Sequence, residues 1–474
     1  MPKLPNIDKI VLFNLPWILI VTLLTLPEKT LFFSTILIIS LFIFELLIYK
    51  NRELYGFSGV PNLAIPSIIM ITFTLIIAVP SIYVCSIENH PAIYPYFYSI
   101  IGFYIFYPLG LFIGQYLWKI DKNRTIYLYK ASFKKSRFDY IFSELLILMI
   151  PVALAVFFNH LLKLDHIPLV ELFQHPGDYA KLSLLREESY SALRLIFIER
   201  YSIAWGRSII FPTGILASFF LYTIYQKKKY LVLLIFFVIF GLIFNSLTLE
   251  KSPVASIFLA LIAFYYLRKK TINFKFILTS LIIVLAVPII IVTIKYYRDA
   301  GLFKLIYITI FERIFITPTK VLYIHYKMFP EIHDFLMGRA TNVTAWFHPD
   351  GIFPLSNYVA SYWWKDPHTT GTLNAMFLAF FWADFGAIGV VISTIAVGLI
   401  AHWIYYKILQ ISEYSKNILF VVFSTVTFPL FTFAFFNSNF TILLVTRGVI
   451  LLLILFILIH KVSITILGNK QTIS

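Results

Sequence analysis

The stretch GRATNVTAWFHPDG, residues 338 to 351, gathers an arginine, a histidine, an aspartate and a tryptophan into one short segment. His348 and Asp350 have the spacing of a general base with an orienting carboxylate, and the KDPH run beyond them adds Asp366 and His368. The same spacings occur in metal sites and in ordinary hydrogen-bonded loops, so those uses stay open. Arginine is the second chemical resource: Arg186, Arg194, Arg200, Arg207, Arg298, Arg313 and Arg339 lie in the polar segments, and Arg447 lies inside the last apolar span. A guanidinium is always charged and offers a planar fork of donors that suits phosphate oxygens. Pairing with Glu187, Glu199 or Glu312 is the competing use for any one of them. Glu250 and Lys251, in NSLTLEKSP, serve either as an interfacial anchor or as part of a site. Trp346, Trp363 and Trp364, with Phe347 and Tyr362, offer faces for sugar rings or form an aromatic belt at a membrane surface. The sequence holds no P-loop, dinucleotide fingerprint, GxSxG or zinc-protease motif.

The elements that must carry these residues are membrane helices. Hydrophobic residues make up 60% of the chain and charged ones 13%, and the mean hydropathy is +0.85. Soluble domains carry about 25% charged residues. Apolar runs long enough to cross a bilayer recur throughout. About twelve spans are expected, near residues 10–26, 31–49, 64–85, 96–118, 139–162, 208–225, 231–248, 254–267, 276–294, 374–406, 418–436 and 441–460. The fold class expected is therefore all-α, a polytopic transmembrane bundle forming a single integral membrane domain. The N-terminus reads as the first span and not as a cleaved signal. The one cysteine, Cys85, has no partner for an internal disulfide, and membrane packing is its expected role.

If the spans alternate, the linkers KIDKNRTIYLYKASFKKSR, QKKK and RKKTINFK and the C-terminal residues share one side. That side holds most of the excess of lysine and arginine, which marks it as cytoplasmic with both termini there. The net charge of +16 then reflects membrane orientation, and no nucleic-acid partner is expected. Two long polar segments fall on the extracytoplasmic side, residues 163–207 and 295–373. The first contains KLSLLREESYSALRLIFIER, which has helical periodicity. The second contains an apolar stretch, about 303–329, that can rest on or dip into the interface. Glu312, Arg313 and Pro318 make a full crossing by it expensive.

Several segments together resemble the Wzy-type oligosaccharide repeat-unit polymerases, the O-antigen and capsule polymerase group. They are LTLEKSPVASIFLALI, FERIFITPTKVLYIHYKMFPEIHDFLMGR and TTGTLNAMFLAFFWADFGAIGVVI, covering roughly residues 245 to 406. The resemblance implies an inner-membrane glycosyltransferase of the GT-C-like class. Its donor would be a glycan on undecaprenyl pyrophosphate, its acceptor a lipid-linked repeat unit, and a chain-length-regulating co-polymerase a possible partner. On that reading Asp350 and His348 supply the base, with Arg313 and Arg339 beside the reacting centre. Arg200, Arg207, Lys251, Arg298 and Arg447 are candidates for the pyrophosphate, and Trp346, Trp363 and Trp364 for stacking on sugars. No metal or other cofactor is expected, because arginine can neutralise the departing charge. Two alternatives stay open. An O-antigen ligase uses the same donor with a different acceptor. A lipid-linked oligosaccharide flippase would be expected to bury charge across several spans, whereas only Glu45, Glu144, Asp384 and Arg447 lie near or within them here.

Overall fold

A computed structural model of the chain describes residues 28–57, 63–164, 166–174, 197–248, 250–269, 279, 307–345, 347–369, 371–413, 415–436 and 438–471. Among them there is no β-strand, only an isolated bridge between Phe133 and Lys416. The major helices are α1 (Glu28–Ile48), α2 (Ile65–Ile87), α3 (Ile93–Leu117), α4 (Phe138–Leu162), α5 (Glu199–Tyr225), α6 (Lys228–Ser246), α7 (Lys251–Lys269), α8 (Thr317–Met328), α9 (Leu355–Trp364), α10 (Phe377–Ile411), α11 (Ile418–Thr432) and α12 (Val449–Gln471). Seven of them, α1 to α6 and α10, are long and apolar enough to cross a membrane. The protein is a multi-pass helical membrane protein. The physical reason is uniform: hydrocarbon offers no partner to a backbone amide, so each crossing segment must close its hydrogen bonds within itself. The span expected near 10–26, and that near 276–294 apart from residue 279, lie outside the described residues.

Two of the remaining expected spans differ in form. Residues 441–460 were expected to be one helix with Arg447 inside it. Instead a π-helical turn, Ile442–Thr446, is separated from α12 by Arg447 and Gly448. Gly448 has φ +77°, and a Cβ there would stand 2.2 Å from the Ile209 side chain. Only glycine fits that left-handed, crowded position, so Arg447 lies at a break and not within a continuous span. Similarly, α10 breaks at Gly386, φ 58° and ψ −140°, which separates a short helical limb, 377–385, from the longer run beyond it. A further difference is that the helical run entering α5 begins at Phe197, so Arg200 and Arg207 ride on it and not in a loop.

The chain divides into two compact units. The first comprises residues 1–125, 310–406 and 431–443. Its core is aromatic: Phe103 stacks between Phe73, at 3.8 Å, and Tyr107, at 4.9 Å. Backbones of α3 and α10 touch, since a Cβ on Gly398 would come within 2.4 Å of the Tyr107 carbonyl oxygen. One end of this unit holds the Glu53–Lys122 ion pair and the His402 ring, 3.0 Å from the Trp118 carbonyl. The opposite end joins the 88–92 turn to the long segment 329–376 through His90 and Glu331, 3.1 Å apart. Helix α8 packs along α2 and α3, with Lys320 over the Tyr83 ring and the Tyr96 hydroxyl donating to the Thr319 carbonyl at 3.3 Å.

The second unit comprises residues 126–309, 407–430 and 444–474. One of its ends gathers Arg137, Glu413 and His460: the Glu413 carboxylate pairs with the Arg137 guanidinium and lies 3.2 Å from the His460 ring. There the Lys416 ammonium also donates to the Leu267 carbonyl at 3.1 Å. Its other end holds Lys163–Glu199, at 2.8 Å, and Arg207–Glu250, at 2.7 Å. Within each unit, the linkers that alternating spans bring to one side do meet at one end.

Candidate functional site

The end of the first unit opposite Lys122 opens into a cleft of about 520 Å³. That size falls within the range of small-molecule sites, about 300–1,000 Å³. Four residues of α8 line it, Lys320, Tyr323, Ile324 and Lys327. Their spacing of three, four and seven residues puts them on one helical face. Ser361, Tyr362 and Trp363 of α9 form the facing wall, Lys365 follows them, and Ile87 and Glu88 at the end of α2 complete the lining. Lys365 adopts a left-handed conformation, φ 54°, which ends α9 and turns the chain.

The electrostatics of the cleft are one-sided. Three ammonium groups face a single carboxylate, and among the described residues none of the three lysines takes part in a salt bridge. Tyr362 and Trp363 are each 38% exposed, so they present ring faces to an incoming ligand. Tyr323 is buried, and that burial, with Glu88 next to it, holds its phenol well above the ordinary range. It stays a neutral donor. Unpaired cations beside aromatic faces, at the end of a membrane helix, suit an anionic ligand that carries rings.

The loop that follows forms a second cluster. Asp350 lies between Arg339, at 3.6 Å, and His348, at 3.7 Å, and is itself largely exposed. The Arg339 guanidinium also reaches the Gly351 carbonyl, at 3.4 Å, and lies over the Phe353 ring. This loop is anchored from below by Asp384, which is buried near the break in α10. One carboxylate oxygen of Asp384 accepts the Gly338 amide at 3.1 Å and the Ala340 amide at 2.7 Å, on either side of Arg339. The expected trio of Arg339, His348 and Asp350 is thus brought together. Asp366 and His368, by contrast, make a local turn: the Asp366 carboxylate accepts the His368 amide at 3.0 Å.

No family model, no curated protein and no solved structure matches the chain. The site therefore has to be read from its own chemistry.

The remaining expected residues are dispersed. In the second unit Arg207 is closed off, bonded to Glu250 at 2.7 Å and to the Thr248 hydroxyl at 3.0 Å. Arg200 is exposed in the first turn of α5. Lys251 opens α7. Arg313 is exposed on the π-helical run Tyr307–Ile316 that precedes α8. Arg298 and Trp346 lie outside the described residues. Trp363 lines the cleft, and Trp364, its neighbour, does not. Among the described residues no group of His, Cys, Asp and Glu is arranged to hold a metal ion. Sequence reasoning missed Lys320, Lys327 and Lys365. The available signal was the spacing Lys320-Tyr323-Ile324-Lys327, which puts both lysines on one helical face.

Proposed function

We propose that the protein polymerises lipid-linked oligosaccharide repeat units on the extracytoplasmic face of a bacterial inner membrane. On this reading it is a GT-C-like glycosyltransferase of about twelve spans, with both termini cytoplasmic. The observation that carries the proposal is the cleft of Lys320, Lys327 and Lys365 with Tyr362 and Trp363 at one end of the helices. A membrane-anchored pyrophosphate bearing sugars presents clustered negative charge next to rings, at the depth where such a cleft opens.

In the reaction the acceptor hydroxyl attacks the anomeric carbon of the donor glycan. The bond from that carbon to the pyrophosphate oxygen breaks as the new glycosidic bond forms. The hydroxyl proton passes to Asp350, whose carboxylate is held between Arg339 and His348. The lysines stabilise the charge that develops on the departing lipid pyrophosphate. Arginine was the residue type expected for that task; lysine meets it as a point charge, without the bidentate fork.

The experiment is polymerisation by purified protein in detergent with lipid-linked repeat units as the only substrate. A ladder of lengthened glycans is expected. Asp350→Asn abolishes the ladder while the protein still retains the lipid. A protein that yields no ladder but moves its lipid across a vesicle bilayer is a flippase. One that joins finished chains to lipid A-core is a ligase. Either result replaces the proposal.

A further inference from the structure

Two adjacent tryptophans on α9 separate two surfaces. Trp363 lines the lysine cleft, whereas Trp364 lies on Gly371, where a Cβ would come within 2.4 Å of its ring. Neighbouring helical residues point about 100° apart, so α9 stands as a partition. Beyond it the chain runs without helix or strand from Gly371 to Met376. This limb is pinned to α9 by the Leu373 amide on the Ser356 carbonyl, 3.0 Å, and by the Asn357 amide on the Gly371 carbonyl, 3.2 Å.

The limb descends along the helices. Phe377 at its foot packs against Phe103, at 6.5 Å, and Phe435, at 5.6 Å. Phe103 lies ten residues into α3 from Ile93, about 15 Å along the axis. The short helix 377–385 then returns to Asp384 beneath the Arg339 loop. Ala375, Met376 and Phe377 are buried, but Thr372 and Asn374 are exposed on the same limb. Among the described residues neither side chain has a hydrogen-bond partner. Non-helical backbone below a membrane surface survives where it is buried in protein or lines a wet cavity. A hydroxyl and an amide left unpaired in hydrocarbon are costly, so these two face water or a ligand.

We infer that Trp364, Thr372 and Asn374 form a neutral recess that binds the saccharide of the lipid-linked substrate, apart from the lysine cleft that holds its phosphates. The chemistry differs on the two sides of α9. Residues 369–383 carry no charged side chain. They offer neutral donors and acceptors beside an aromatic ring that is 47% exposed, the groups that sugar hydroxyls and sugar faces match. This inference rests on the proposed function for the identity of the ligand, and on the exposed Trp364, Thr372 and Asn374 for the place where it binds.

The test uses thiol labelling of the full-length protein. Cys85 is the only cysteine, so C85A gives an unreactive background. In it, T372C and N374C are expected to react with a membrane-impermeant thiol reagent, and F377C to stay unreactive. Undecaprenyl pyrophosphate carrying its oligosaccharide slows labelling of T372C and N374C about tenfold, and sugar-free undecaprenyl pyrophosphate does not. Both lipids slow labelling of K365C in the cleft. W364A removes protection at T372C and leaves it at K365C. The inference is overturned if T372C and N374C are inert, or if the sugar-free lipid protects them as well. Failure of both lipids to protect K365C, with T372C still reactive, instead overturns the proposed function.

Discussion

Cations occur away from the basic linkers in both units, and the two settings differ in one respect. In the second unit Arg207 is 11% exposed and spends its donors on Glu250 and Thr248. In the first unit Lys320, Lys327 and Lys365 surround an open cleft, and among the described residues none of them forms a salt bridge. A buried charge must be paired because desolvation is expensive, so the Arg207–Glu250 contact is part of the frame. Three like charges left side by side repel one another, and a fold gains nothing from them by itself. Their proximity makes sense when an anion arrives to separate them. Residue type alone ranked arginine above lysine as the phosphate binder, and pairing removes Arg207 from that ranking.

The largest expected effect breaks the paired side. Glu250→Ala leaves a guanidinium largely buried without its carboxylate. Loss of one partner of a fully buried pair costs about 3–5 kcal/mol, and partial exposure of Glu250 reduces this to about 2–3 kcal/mol. The readout is the thermal transition of purified protein in detergent, and Arg207→Met with Glu250→Leu restores much of it. An unchanged transition in Glu250→Ala would remove the contrast between the two units.

The unpaired side responds the other way. The triple variant K320Q/K327Q/K365Q keeps its thermal transition, because removing mutual repulsion costs the fold nothing. Each lysine–phosphate contact in a partly exposed cleft contributes about 0.7 kcal/mol, so the triple variant loses about 30-fold in glycan-ladder rate. Next in size, Trp363→Ala lowers affinity for the lipid-linked substrate about fivefold, the worth of about 1 kcal/mol of ring contact. This is measured by retention of labelled lipid on immobilised protein. The smallest effect is ionic. Raising salt from about 0.05 to 0.5 M shortens the screening length severalfold, which weakens lipid retention and scarcely moves the thermal transition set by Arg207 and Glu250. Equal salt sensitivity of both would mean that the two settings do not differ.

Much of the frame is legible in the residues. Hydropathy alone identifies a helical membrane protein, because a span must be continuously apolar and self-bonded. The 338–351 loop is legible for a local reason: Arg339, His348 and Asp350 lie within a dozen residues, so one turn of chain can gather them. Trp363, singled out in the sequence for its place near a polar loop, lines the cleft. The lysine cleft was not legible. Lys320 and Lys327 meet Lys365 and Glu88 only because α8, α9 and the end of α2 pack together. Likewise, Arg207 and Glu250 stand 43 residues apart, and nothing local says which arginines are already occupied.

What the sequence by itself determined is the solvent: the order of apolar and polar segments compels helices in a bilayer and sends the polar loops to their ends. What only the tertiary structure decided is which charges are spent and which are available. The breaks at Gly386 and Gly448 belong to the same class, because a left-handed residue is needed only where a neighbouring helix or loop blocks the straight path. Helix formation is a property of a segment with its solvent, whereas pairing and crowding are properties of segments with each other.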